Sequence, residues 1–122
     1  MSKVLQVVEQ FYDVTNHRKD VAGLRPLVTD DILFSGPLSQ TSGAEAYMAL
    51  NEQLLSFHQE TRVLAQFEAG SDVCTIYELD LKTPAGETIT VPMADWIRVS
   101  NGRVAEQRIY YDPREFAKAF GM

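Results

Sequence analysis

The chain has 122 residues, enough for one domain over 1–122 with a real core and too few for two. With a net charge of −6 and a pI of about 4.8 it offers no basic patch, which argues against nucleic acid and anionic membrane as partners. The lone cysteine, Cys74, closes no internal disulfide, and its strand-like neighbours mark it as a buried, inert thiol. With no signal peptide and no long apolar run, the sequence predicts a cytoplasmic protein.

Residues 2–18 read as an amphipathic helix, with Val4, Leu5, Val8, Phe11, Tyr12 and Thr15 at helical spacing and Ser2 as N-cap. A short second helix is expected over 21–28, limited by Pro26. Thr29-Asp30-Asp31 reads as a turn, and Ile32 to Ser35 as a short strand broken by Gly36-Pro37. Ser42 with Glu45 three positions on matches a capping box and opens a helix over 43–57. Tyr47, Leu50, Leu54 and Phe57 form its apolar stripe, and His58 falls at its C-terminal end, where the dipole favours an imidazolium. From there the pattern is all strand: 62–69, 73–82, and then two long strands between 90 and 112 around a tight turn at Ser100-Asn101-Gly102. A final helical turn or two over 113–120 is capped by Asp112.

The last hairpin organises the rest. Asp95 lies midway along its first strand, sharing one face with Val91, Met93, Ile97 and Val99. A charge on an apolar face is costly to bury and needs a reason. A two-residue Asn101-Gly102 loop would place Asp95 opposite Arg108, as an ordinary cross-strand ion pair. A three-residue loop would place it opposite Gln107, with Ile109 and Tyr111 on its face and Trp96, Arg98, Glu106, Arg108 and Tyr110 on the other. The cleaner separation of apolar from polar residues favours the second register.

Helices first and long antiparallel strands after predict an α+β fold. One curved, mostly antiparallel sheet would wrap around two to three N-terminal helices as a cone with an apolar pocket at its open end.

Four stretches in this order carry a family resemblance: the helix bearing Phe11-Tyr12, Asp30-Asp31-Ile32-Leu33-Phe34 before Gly43 and a helix, Asp95 to Val99 with Asn101-Gly102-Arg103-Val104, and Tyr110-Tyr111-Asp112-Pro113. Together they resemble a nuclear transport factor 2-like domain, specifically its SnoaL-like and ketosteroid isomerase-like branch. In ketosteroid isomerases a tyrosine and a protonated aspartic acid form an oxyanion hole while another aspartate moves the proton. The resemblance places Tyr12 and Asp95 at the two oxyanion-hole positions. The base would fall at Ser35 or Gly36, neither of which takes a proton near neutrality, so steroid isomerisation by that route is not implied. SnoaL-like cyclases commonly pair an aspartate with a histidine on the last long strand, where this chain has Gln107. Limonene epoxide hydrolase-like members use two aspartates and an arginine, and here Arg98 lies three residues from Asp95 on the other face.

The resulting expectation is a cofactor-independent isomerase, cyclase or hydrolase, or a non-catalytic binding or dimerisation module of the same fold. Asp95 would be acid or base and Tyr12 the oxyanion donor. Asp95 could act as a neutral acid donating a hydrogen bond, or as an ionised general base. Phe34, Tyr47, Leu54 and Phe57 would line the cavity with Met93, Ile97, Ile109 and Tyr111. Gln107 and His58 would touch the ligand, an apolar small molecule with one or two oxygens. Two distant histidines without ligand spacing predict no metal site. A tryptophan and a tyrosine on the opposite sheet face suggest a homodimer through that face, which is also the family habit.

Overall fold

The structure, a computed structural model, describes residues 2–122. Helix α1 (Lys3–Tyr12) starts at Ser2, whose hydroxyl accepts from the Leu5 amide at 3.0 Å, as expected. It does not run on to residue 18 as an α-helix. Asp13–Arg18 is wound as a π-helix that ends at Lys19 with a left-handed φ of 51°. Lys19 Nζ donates to the His58 carbonyl at 2.8 Å, tying this end to the sheet. The expected second helix is split into α2 (Val21–Leu24), capped by Asp20, and a 3-10 turn over Arg25–Leu27 where Pro26 enters.

The expected turn at Thr29-Asp30-Asp31 is instead extended, inside β1 (Val28–Ser35). β1 runs parallel to β6 (Arg103–Tyr110), and three extra β1 residues are absorbed as an irregularity between Val28 and Leu33. A short strand, β2 (Gln40–Ser42), was not foreseen. It leads into α3 (Ala44–Leu55), whose N-cap is Gly43 at φ 94° with no side-chain cap bond, so the Ser42–Glu45 capping box does not form. β3 (His58–Ala69) begins at His58, earlier than predicted, which removes His58 from the helix terminus. β4 (Asp72–Lys82), β5 (Thr88–Ser100) and α4 (Arg114–Ala119) follow the sequence pattern closely. The Asp112 carboxylate accepts from the Arg114 amide at 3.1 Å at the start of α4.

The six strands form one curved, unclosed sheet in the order β2-β1-β6-β5-β4-β3, antiparallel except at β1–β6. Neither anticipated hairpin register occurs. Asn101 and Gly102 both take positive φ, 51° and 77°, the requirement of a two-residue type I′ turn. Ser100 then pairs with Arg103 and Val99 with Val104, but Ala105 is left over as a bulge. Beyond it Arg98 faces Glu106, Ile97 faces Gln107 and Asp95 faces Ile109. The shift restores the parity of the favoured register, so Asp95 and Gln107 share the inner face while Trp96, Arg98, Glu106 and Arg108 share the outer one.

The inner face packs in two apolar clusters. One gathers Val8, Phe11 and Val14 with Leu24, Tyr47, Val73, Ile97 and Val104. The other holds Tyr77, Leu79, Leu81, Val91 and Met93 under Leu54, Phe57, Ile109, Tyr111, Phe116 and Phe120. No helix among the described residues is long and apolar enough to cross a membrane.

Candidate functional site

Between the two clusters runs a thin polar layer. β5 crosses it at Asp95, with Ile97 in one cluster and Met93 in the other. β4 crosses it at Thr75, the cross-strand partner of Asp95, and β6 at Gln107. Asp95 and Thr75 are fully buried and Gln107 nearly so. Period-2 alternation aims these three residues inward, and the Ala105 bulge keeps Gln107 on that side.

Every resolved partner of Asp95 donates to it. The Tyr12 hydroxyl donates to Oδ2 at 2.7 Å, reaching in from the last residue of α1. Gln107 Nε2 donates to Oδ1 at 3.1 Å and to Oδ2 at 3.0 Å. The Gln107 carbonyl oxygen accepts from the hydroxyl of Tyr47 on α3 at 2.5 Å. Burial pushes the Asp95 carboxyl up from 3.8 to about 6, opposed by hydrogen bonding from Tyr12, Gln107 and Tyr77, which favours the charge. Burial thus brings the carboxyl towards neutrality, while the surrounding donors favour its charged form. Burial, and then the adjacent Asp95 charge, hold Tyr12 and Tyr77 well above the usual phenol range, so both remain protonated donors.

The structure thus joins Tyr12, Asp95, Gln107 and Tyr47, with Phe34 against the Tyr47 ring at 6.1 Å between centroids. Ile97 underlies them in the first cluster. Leu54, Phe57, Met93, Ile109 and Tyr111 sit instead in the second cluster, packed with Phe116 and Phe120 of the α4 region. Phe57 meets Phe120 edge-on at 4.8 Å, and Phe116 stacks on Phe120 at 4.7 Å. His58 stands apart from the carboxyl: Nε2 is 2.8 Å from Thr61 Oγ1, while Nδ1 is buried without a partner among the described residues. Burial and then Lys19 lower its pKa, contrary to the imidazolium expected at a helix end. Tyr77 is the residue the sequence reading passed over. Its ring lies edge-on to Tyr12 at 6.2 Å, and the alternation Val73, Thr75, Tyr77 carried the signal.

The outer face holds a groove of about 360 Å³ between Phe67, Ala69, Asp72, Cys74, Trp96 and Tyr110. Phe67 is 62% exposed and Tyr110 54%. Cys74 is only partly buried there, not enclosed in the core. Arg98 and Arg108 lie over the Trp96 ring at 5.9 and 5.4 Å and pair with Asp72 and Glu106.

Over residues 8–107 the sequence matches the SnoaL-like domain family. The chain belongs to the SnoaL-like family. Solved structures agree on the nuclear transport factor 2-like fold. An NTF2-like protein of unknown function from Burkholderia pseudomallei superposes with a TM-score of 0.85 at 19% identity, covering 100% of both chains. A putative SnoaL-like polyketide cyclase from a Jannaschia species gives 0.83 at 19% identity, over 97% of this chain and 91% of that one. An LEH-like epoxide hydrolase from M. tuberculosis gives 0.79 at 17% identity, over 97% and 89%. At these identities the likeness is one of fold. No curated protein sequence matches the chain significantly. Within the SnoaL-like fold of this chain, the Asp95 layer is where polar chemistry meets the apolar interior.

Proposed function

We propose that this SnoaL-like protein moves protons on an apolar small molecule bearing a carbonyl or acidic hydroxyl, with Asp95 as general base and Tyr12 as donor to the developing oxyanion. The observation that carries this reading is a fully buried carboxylate, held near pKa 6, whose resolved hydrogen bonds all come from donors. A base poised just below neutrality is ionised at pH 7 yet still basic enough to take a proton. Tyr12, kept protonated, can turn its hydroxyl from Asp95 to a substrate oxygen as the carboxylate accepts the proton. The chain's unity as one domain over 1–122 is part of this reading.

The test is deuterium exchange at the α-carbon of enolisable cyclic ketones, followed by NMR, with simple phenols as competitors. Wild type should accelerate exchange, and Asp95→Asn should lose about 10²–10⁴-fold, the usual span of general base catalysis. Exchange that survives Asp95→Asn removes Asp95 as the proton carrier. Ligand binding without exchange in the wild type identifies a binding module instead.

The outer face supports a homodimer as the working assembly. An apolar centre of Phe67, Trp96 and Tyr110 is flanked by the ion pairs of Arg98 and Arg108 at one end and Arg62 with Asp80 at the other, the anatomy of an interface core with a polar rim.

A further inference from the structure

We propose that Tyr47 is a positioning residue whose hydroxyl proton locks the Gln107 amide with Nε2 toward Asp95, and so holds the carboxyl in its proton-accepting form. This deepens the reading of Asp95 as base, but it concerns the resting protein and can fail or stand on its own.

The geometry is a chain of single choices. Tyr47 is fully buried, and its hydroxyl donates to Gln107 Oε1 at 2.5 Å. Asn51, one turn on, gives Nδ2 to the Tyr47 main-chain carbonyl at 2.9 Å, and its amide favours the phenol oxygen as a donor, so it does not replace Gln107 as acceptor of the phenol proton. An amide has a donor end and an acceptor end, and the protein must choose which faces Asp95. With Oε1 held by the phenol proton, both contacts at Asp95 come from Nε2, and both favour the charged carboxylate.

Turned over, the amide would present Oε1 to Asp95. That arrangement suits only a protonated carboxyl, which could then donate to it. Nε2 would face the Tyr47 hydroxyl, which could accept, but the phenol's own proton would lose its acceptor inside the core. A buried donor without a partner is disfavoured, so the phenol proton penalises the state that protonated Asp95 would otherwise recruit. Burial, with the nearby Asp95 charge, keeps Tyr47 from ionising to escape the constraint. The other titratable groups facing Asp95 are Tyr12 from α1 and Tyr77 from β4, and β6 contributes only the amide. A phenylalanine at position 47 would pack as well against Phe34, so the hydroxyl, not the ring, carries the role.

The experiment is a carboxyl-carbon NMR titration of Asp95, assigned with Asp95→Asn, on four proteins without ligand. Relative to wild type, Tyr47→Phe should raise the Asp95 pKa by about one unit, a tenfold gain in proton affinity. Gln107→Leu should raise it at least as much. The double variant should match Gln107→Leu alone, because Tyr47 acts through the amide. An unchanged pKa in Tyr47→Phe overturns the proposal, as does an equal Tyr47→Phe shift with Leu at 107, which would mean action by another route. Should a variant fold poorly, the wild type itself decides. Nε2 protons that keep their proximity to Asp95 on both sides of its titration support the lock. New contacts from Nε2 to the hydroxyl end of the Tyr47 ring as Asp95 protonates overturn it. Loss of exchange activity in Asp95→Asn, or its absence in wild type, moves none of these readings.

Discussion

Asp95 makes the stability of the native state depend on pH in a direction opposite to that of most carboxylates. Its pKa rises from 3.8 in the unfolded chain to about 6 on folding. The native state therefore binds the proton more tightly, and stability grows as pH falls from 6 towards 3.8 and is lost again as pH rises through 6. At ~1.4 kcal/mol per pH unit, the ionised carboxylate costs the fold about 3 kcal/mol above pH 6, undiscounted because the group is fully buried. Asp80 and Asp112 work the other way, held at about 2 chiefly by hydrogen bonds from Arg62 and Arg114, so the total pH profile mixes the two signs. Asp95→Asn isolates the one group: it keeps the shape and removes the titration, while the other carboxylates cancel in the difference. Urea unfolding followed by Trp96 fluorescence should show wild type gaining most of that ~3 kcal/mol on the variant between about pH 7.5 and pH 4. A wild-type minus variant difference that stays flat across this window would refute a raised Asp95 pKa, and with it the reasoning that burial outweighs the donors around the carboxyl.

Two further outcomes test the surfaces around the site. Wild type should sediment as a dimer at micromolar concentration, and Trp96→Glu with Phe67→Glu should leave a folded monomer, since together they remove the aromatic centre and put charge in its place; a monomeric wild type removes the outer face as an interface. Phe120→Ala takes away the aromatic contacts of Phe120 with Phe57 and Phe116, each worth ~0.5–1.5 kcal/mol. Hydrogen exchange should then quicken in α4 while β4 and β5 keep their protection, and uniform loss across the sheet would show that α4 is part of the global unit.

The alternation of β5 was legible: it put Asp95 among Met93, Ile97 and Val99, and Trp96 with Arg98 on the reverse, as found. The pairing partner was not, because the register is set by a bulge at Ala105, a residue with no bulge signature of its own. Thr29-Asp30-Asp31 has turn chemistry but is extended, in the irregular stretch of β1 whose two ends are pinned to β6 by the pairs Val28–Val104 and Leu33–Glu106. The break after Tyr12 was equally silent, as a π-helix keeps the composition of an α-helix. At the site, Tyr12 and Gln107 were named in advance as partners of Asp95, while Tyr47 was read as an apolar wall because its helical spacing reports burial and not where its hydroxyl ends. His58 was misplaced by one element boundary, which turned a helix terminus into the first residue of a strand.

The bulge also bears on how such chains vary in length. Ala105 is the one residue between the turn and Gln107 that pairs with nothing on β5. Deleting it would leave an unbroken ladder with Asp95, Gln107 and Tyr12 where they are, whereas removing a residue from Asn101-Gly102 would break a turn that needs two positive φ values. When this chain is aligned with relatives one residue shorter in the last hairpin, the gap therefore belongs at 105, and the residue aligned with Gln107 is the one that meets the buried acid.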